Sequence, residues 1–570
     1  MELQVQKVAV LLCLLVGLYT AIVYILPKGE AQAQPKPARW SYDSKRRKAH
    51  VELVQKDTNY MKAFHLPITT GLNDVISEKE ALKFKPCADS KLAANTNTSM
   101  LKLIGDHHGT YRLGDTITVQ TTMYDAYGQA KTTGGDNIRG RMSSPDLRAY
   151  APGTVKDHNN GTYSIIFEAL WSGEAYITVT IAYTREAITA MYRLHLTQIS
   201  LKLILTKFQT GNIQEDVICH PDENLTAYTK YKDVCNFTQL NSGMPWYCGK
   251  PHNPKLSCSH WTKVRHVLPT WPKSISKCEK ELLAFRAHKD LFKKIKVLVT
   301  KPAQLKNKKS VAFLQSTTSC QIYNTSKLWF RKTTTGYFFK GQWKMQHCKG
   351  FHRAYFDNCL RNRKLYLIGD STTRQWYEDI LKRYNCIQFT EQWKYAKWKK
   401  PSGCTVARNN FTVALSTHCQ PFYVGTFWID PKFTFNSISK QIDSISSHED
   451  VIVLIHIFLH MNTFHHKHFR YKMRAIRNSV EKLIQRNEKA KVFIKMPHTY
   501  SSVHQDNGAI NDFSGYIYSG IIVEEFRGLY DKVTVLDNKD ATIAVASGGL
   551  HPLPYIVSAM VDQMFSYICG

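Results

Sequence analysis

The chain has 570 residues, 43% of them apolar and 12% aromatic, with a formal charge of +31. That is too long for one compact core and too apolar for a disordered chain, so two or three domains are expected. The charge points to a polyanionic partner, and nucleic acid, anionic lipid and acidic glycan are separated by compartment.

The N-terminus speaks to compartment. Lys7 precedes Val8–Leu26, 19 residues without a charge. A membrane span needs roughly 20 apolar residues, whereas a cleavable signal core is about 7–15. The length favours a type II signal anchor over residues 1–27, with membrane attachment and a Golgi-lumenal body. Cleavage near Ala31-Gln32-Ala33, giving a secreted product, is the alternative. Residues 28–90 read as a stem, with a Pro- and Lys-rich stretch ending in the basic cluster Lys45–Lys48.

Of 14 cysteines, 13 are scattered between Cys87 and Cys569 with no CxxC pair. Disulfides with one thiol left over are expected, and no metal site. Six N-x-S/T sequons, at Asn97, Asn160, Asn224, Asn236, Asn324 and Asn410, agree with a lumenal chain. Nucleic acid is thereby excluded as a partner.

Residues 91–210 alternate short apolar and polar runs between glycine turns, as in Thr116–Tyr124, Thr162–Phe167 and Glu174–Ala182. This spacing predicts an antiparallel β-sandwich of immunoglobulin-like type. Residues 211–325 form a Cys-rich module and connector, with five cysteines between Cys219 and Cys278. The segments Gly134–Pro145, Asp157–Val179 and Trp246–Pro251 resemble the neurexophilin-type region of the NXPE family (neurexophilin and PC-esterase domain). The resemblance implies a secreted, glycosylated binding region able to engage a cell-surface protein, followed by an esterase-like domain.

From residue 326 to 570 strand and helix patterns alternate. Phe411–Leu415, Val451–Ile457, Val492–Met496 and Val533–Leu536 read as short strands, and His466–Arg486 and Tyr555–Ile568 as amphipathic helices. An α/β sheet, mainly parallel, is expected, with its site outside the carboxyl ends of the strands. There, the apolar run Leu365–Ile368 stops at Gly369-Asp370-Ser371 and a helical pattern follows at once. A serine in such a turn exposes its hydroxyl and is a candidate nucleophile, needing a base and an orienting acid. His551, in the loop Ser547–Pro554, is the candidate base, against the plainer reading of a surface histidine in a turn. Asp537 and Asp540, after the preceding strand, are candidate acids.

These blocks resemble the SGNH/GDSL hydrolases and their PC-esterase group. The aspartate such enzymes often place three residues before the histidine is replaced by Gly548, whereas an NXPE-like spacing of 11 residues selects Asp540. In the oxyanion block, Ile457–Phe464, Phe458 stands at the glycine position, with His460 and Asn462 as candidate donors. A missing donor would cost on the order of 3 kcal/mol of transition-state stabilisation. Arg374 and Trp376, with the basic-aromatic run Trp393–Lys400, are candidates for holding an acidic sugar.

The expectation is O-acyl, chiefly O-acetyl, transfer to or from glycan hydroxyls, with sialic acid as leading acceptor. No cofactor is bound, and acetyl-CoA is the candidate acyl donor. The competing class is a secreted neurexophilin-like binding protein with an impaired esterase domain.

Overall fold

The computed structural model describes residues 78–105, 109–197, 203–224, 226–267, 275–284, 289–291, 293–301, 316, 318–388, 401–422, 425–501 and 511–570. The anchor or signal segment, the stem up to residue 77 and the Trp393–Lys400 run lie outside these. Among the described residues no helix is long and apolar enough to cross a membrane.

Alternation in the first half builds a two-sheet sandwich. One sheet orders Met100–Ile104, Thr116–Thr122, Thr162–Glu168 and Thr154–Asp157, all antiparallel. The other runs Gln342–Met345, Gly336–Phe339, Ala149–Pro152, Asn137–Ser144, Gly173–Tyr183, Ile295–Thr300 and Thr110–Arg112. Inward residues of both sheets (Ile117, Val119, Ile165 and Phe167 against Met142, Ile177, Val179 and Val297) share one core. The sandwich is therefore not confined to residues 91–210. It takes Ile295–Thr300 from the connector and Gly336–Phe339 and Gln342–Met345 from the start of the expected α/β region, which pair with Gly173–Tyr183 and Ala149–Pro152.

Leu203–Thr210 and Ile213–His220 leave the sandwich. They join Trp261–Val267, Tyr247–Gly249 and Val234–Asn236 in a five-stranded sheet. Two disulfides, Cys219–Cys248 and Cys235–Cys258, staple it. Four more (Cys87–Cys278, Cys320–Cys348, Cys359–Cys569 and Cys386–Cys404) leave Cys419 as the free, buried thiol among the described residues. All six sequon asparagines are exposed.

The C-terminal sheet orders Ile387–Gln388, Ser402–Val406, Phe411–Thr417, Lys364–Gly369, Val451–His456, Lys491–Lys495 and Val533–Leu536. The last five are parallel, and the first two add antiparallel pairs at one edge. Counted along the chain, the parallel strands run 2-1-3-4-5, a doubly wound order whose switch point lies between Lys364–Gly369 and Val451–His456. The helix Ser371–Tyr384 packs on Pro554–Cys569, and His466–Arg486 packs on Ile438–Asp443 and Ser514–Glu525. Every residue of Val451–His456 is buried, as a strand covered on both faces requires.

Gly369 ends the first of these strands because nothing larger fits. A Cβ there would lie 2.2 Å from the His456 carbonyl oxygen and 2.4 Å from Thr373 Oγ1. Gly369→Ala is expected to force the switch-point strands apart and lower stability by about 1–3 kcal/mol, read as a shifted denaturant midpoint.

Candidate active site

Asp370 caps the helix that begins at Ser371. Its Oδ1 accepts from Thr372 N–H at 2.9 Å and from Thr372 Oγ1 at 2.8 Å. This satisfies donors that a helix start leaves open and turns the half-buried Ser371 hydroxyl outward. Ser371 Oγ lies 2.7 Å from His551 Nε2, so the two residues proposed from sequence, 180 positions apart, are in hydrogen-bond contact.

The loop carrying His551 is held on both sides. His498 Nε2 donates to the Leu550 carbonyl at 3.0 Å, and Gln375 Nε2 donates to the Pro552 carbonyl at 2.9 Å. His498 belongs to a buried polar cluster beneath the serine turn. Lys495 Nζ reaches His456 Nε2 at 3.0 Å, Thr372 Oγ1 at 3.2 Å and His498 Nδ1 at 3.4 Å. His456 Nδ1 donates to the Lys495 carbonyl at 2.8 Å, and its Nε2 lies 3.7 Å from Asp370 Oδ2. Because each imidazole spends its N–H on a carbonyl, each offers a lone pair to Lys495, and the three ammonium hydrogens all meet acceptors.

Burial and the Lys495 charge pull His456 down to about 4. Burial pulls Lys495 down to about 7, opposed by the Asp370 carboxylate. Burial pushes Asp370 up, but His456, His460 and Lys495 outweigh it and hold the carboxyl well below its usual range. Sequence reasoning missed His456, Lys495 and His498. The available signal was a polar residue closing each of two apolar strands, VIVLIH and KVFIK, at the carboxyl edge where sites form.

The orienting acid differs from expectation. The Asp540 Oδ2 accepts from Thr335 N–H at 2.5 Å and Thr335 Oγ1 at 2.9 Å, tying its helix to the sandwich edge rather than to His551. Burial and nearby Asp537 raise its carboxyl to about 6. Asp537 accepts from the Lys539 backbone N–H at 3.0 Å. Asp540→Ala is expected to cost about 1–3 kcal/mol of stability by orphaning Thr335, with turnover of a small ester nearly unchanged; parallel denaturation and esterase assays check this.

The oxyanion block also differs. Asn462 is fully buried and donates one Nδ2 hydrogen to the Asn511 carbonyl at 2.6 Å, which ties its side chain to that loop. His418 Nδ1 faces the Cys419 carbonyl at 2.8 Å and must carry its proton; burial keeps this ring neutral, so His418 Nε2 is an acceptor. His460 Nδ1, 2.7 Å away, is then the donor, and a neutral His460 carries a lone pair at Nε2. It could donate from Nε2 only as an imidazolium. Phe458 does not remove a donor after all. Its ring is buried edge-on against His498 and Tyr518, and the substitution leaves the backbone N–H in place. Among the described residues neither Phe458 N–H nor Ser371 N–H makes a backbone hydrogen bond.

One substrate candidate is out of reach: Trp376 is fully buried in its helix. Arg374 is half-buried, with one guanidinium nitrogen paired to Glu378 at 2.6 Å. Among the described residues no cluster of His, Cys, Asp or Glu could hold a metal ion.

Fold and site together define a disulfide-stapled protein of the secretory pathway that joins a β-rich region to an α/β region bearing a serine–histidine pair. The neurexophilin family model matches residues 92–266, and the model for the NXPE family member 4-like C-terminal domain matches residues 343–569. The chain belongs to the NXPE family. Among solved structures, the Lin-41 filamin domain is similar at 16% identity over 15% of this chain and 80% of that one. The TM-score of that pair is 0.13.

Proposed function

We propose that the α/β region is an SGNH-type acyltransferase or esterase acting on glycan hydroxyls, with an acetyl group as the acyl unit and sialic acid as leading acceptor. The observation that carries this reading is the 2.7 Å contact between Ser371 Oγ and His551 Nε2 at the sheet's switch point. Ser371 Oγ attacks the carbonyl carbon of an acyl donor such as acetyl-CoA while His551 Nε2 takes its proton. The Ser371 and Phe458 backbone N–H groups, neither engaged in a backbone hydrogen bond among the described residues, are assigned here as the donors to the oxyanion. His551 returns the proton to the departing thiolate or alkoxide. A sugar hydroxyl, or water, then gives its proton to His551 and attacks the acyl carbon; as the acyl–serine bond breaks, His551 returns that proton to Ser371 Oγ. The Golgi lumen is the proposed setting.

Mass spectrometry of O-acetylated sialic acids in cells with and without the protein tests this. A rise that depends on Ser371 supports it, and identical profiles overturn it. A second reading, a neurexophilin-like binding protein with an inactive esterase region, draws support from Asp540 and Asp537 being engaged elsewhere. A serine-directed fluorophosphonate separates the two, since it labels only a reactive Ser371.

A further inference from the structure

A cleft of about 250 Å³ opens where the sandwich meets the α/β region. Both belong to one unit, Met61–Gly570. One wall carries Arg141 and Thr180, from two central strands of the larger sheet, with Asp290 beside them; the other is Tyr500, Ser501 and Ser547. The junction is built around buried Asp512, which pairs with Arg139 at 2.8 Å and accepts from Tyr183 Oη at 2.7 Å and Tyr500 N–H at 3.0 Å.

The walls are polar but internally neutralised. Arg141 grips Asp290 through two bonds, at 2.8 and 3.2 Å, and Thr180 Oγ1 donates to the same carboxylate at 2.6 Å. Asp290 stays 38% exposed, so this pre-oriented acceptor is open to a ligand. Among the other lining residues, Tyr500 is 2% exposed and its buried Oη has no hydrogen-bond partner. A buried hydroxyl left without a partner calls for a ligand or water. With both guanidinium groups already matched by carboxylates, an anion gains little here. What the cleft offers is hydroxyls and an exposed carboxylate oxygen, in room for one small polyhydroxylated ring.

We propose that this cleft is a saccharide subsite holding one neutral pyranose unit of the acceptor glycan. The assignment of that sugar to an acceptor rests on the acyl-transfer reading above; the binding itself does not. The cleft adjoins the reactive histidine's loop: Ser501 N–H donates to the Ser547 carbonyl at 3.0 Å, four residues before His551. Sugar binding would therefore brace the segment that presents the base.

Saturation-transfer NMR and calorimetry on the full chain, with N-acetyllactosamine as probe, test this. Wild type and Ser371→Ala should bind alike, while Asp290→Asn and Tyr500→Phe should each weaken binding at least tenfold, with unchanged melting temperature. No saturation transfer to wild type, or equal affinity in both cleft variants, overturns the subsite. So does a sialylated probe whose tighter binding survives Asp290→Asn. If Ser371→Ala leaves cellular O-acetylation intact while these binding results hold, the acyl-transfer reading falls and the subsite stands.

Discussion

Ser371→Ala is expected to lower acyl transfer by on the order of 10⁴-fold or more, since removing the nucleophile of a cooperating serine–histidine pair forfeits nearly all of their joint effect. His551→Ala should cost a similar factor, and the double variant little beyond either single one. That non-additivity distinguishes a nucleophile and its base from two independent binding residues. The fold should survive, because Ser371 is half-buried and its hydroxyl contacts His551 rather than the core. Burst-phase release from an activated acetyl ester, read beside thermal melting, checks both parts. Equal bursts from wild type and Ser371→Ala would falsify the assignment.

Asp370→Asn is expected to be the most damaging conservative change to stability. The amide oxygen can keep capping Thr372, so the loss is one of charge. Lys495 makes no ion pair with this carboxylate but is stabilised by it through space, and losing that attraction is expected to cost about 1–3 kcal/mol. The pH dependence has a definite sign. Lys495 titrates near 7 in the folded state, against about 10.4 unfolded. The unfolded chain thus binds more protons between those values, and stability rises with pH across that window. His456, at about 4 folded against about 6.5 unfolded, adds a rise between those two values. Asp370, held low, contributes stability above its unfolded value that is lost as pH falls through its folded one. Removing its charge lowers the Lys495 value further, so Asp370→Asn should hurt most below pH 7 and little near pH 10. Asp370→Asn/Lys495→Met should recover much of the loss. Urea melts of the three proteins between pH 5 and 10 measure this.

The α/β region was the most legible part of the chain. Its central strand Val451–His456 is an apolar run up to its last residue and His466–Arg486 keeps helical spacing from end to end, so local pattern and tertiary burial agree. Gly369-Asp370-Ser371 could be read because an abrupt strand-to-helix turn leaves few residue choices. His551 needed the family resemblance, since one histidine among 23 carries no local signal. Side-chain commitments were illegible. Asp540 turns to Thr335 and Asn462 to Asn511 because of partners about 205 and 49 positions away, which spacing along one segment cannot report. Phe458 misled for another reason: a side-chain change was taken to delete a backbone donor. The sandwich's late strands were missed because Gly336–Phe339 looks the same whether it starts one sheet or finishes another.

The disulfide between Cys359 and Cys569 joins the approach to the first parallel strand to the last helix, across 210 residues. Translation delivers Cys569 last, so the serine turn is synthesised long before the bond that closes its domain can form. His551 lies on that same late stretch. A nascent chain therefore carries Ser371 before His551 has been made, and the pair can assemble only once the late stretch has been synthesised and folded against the first strand.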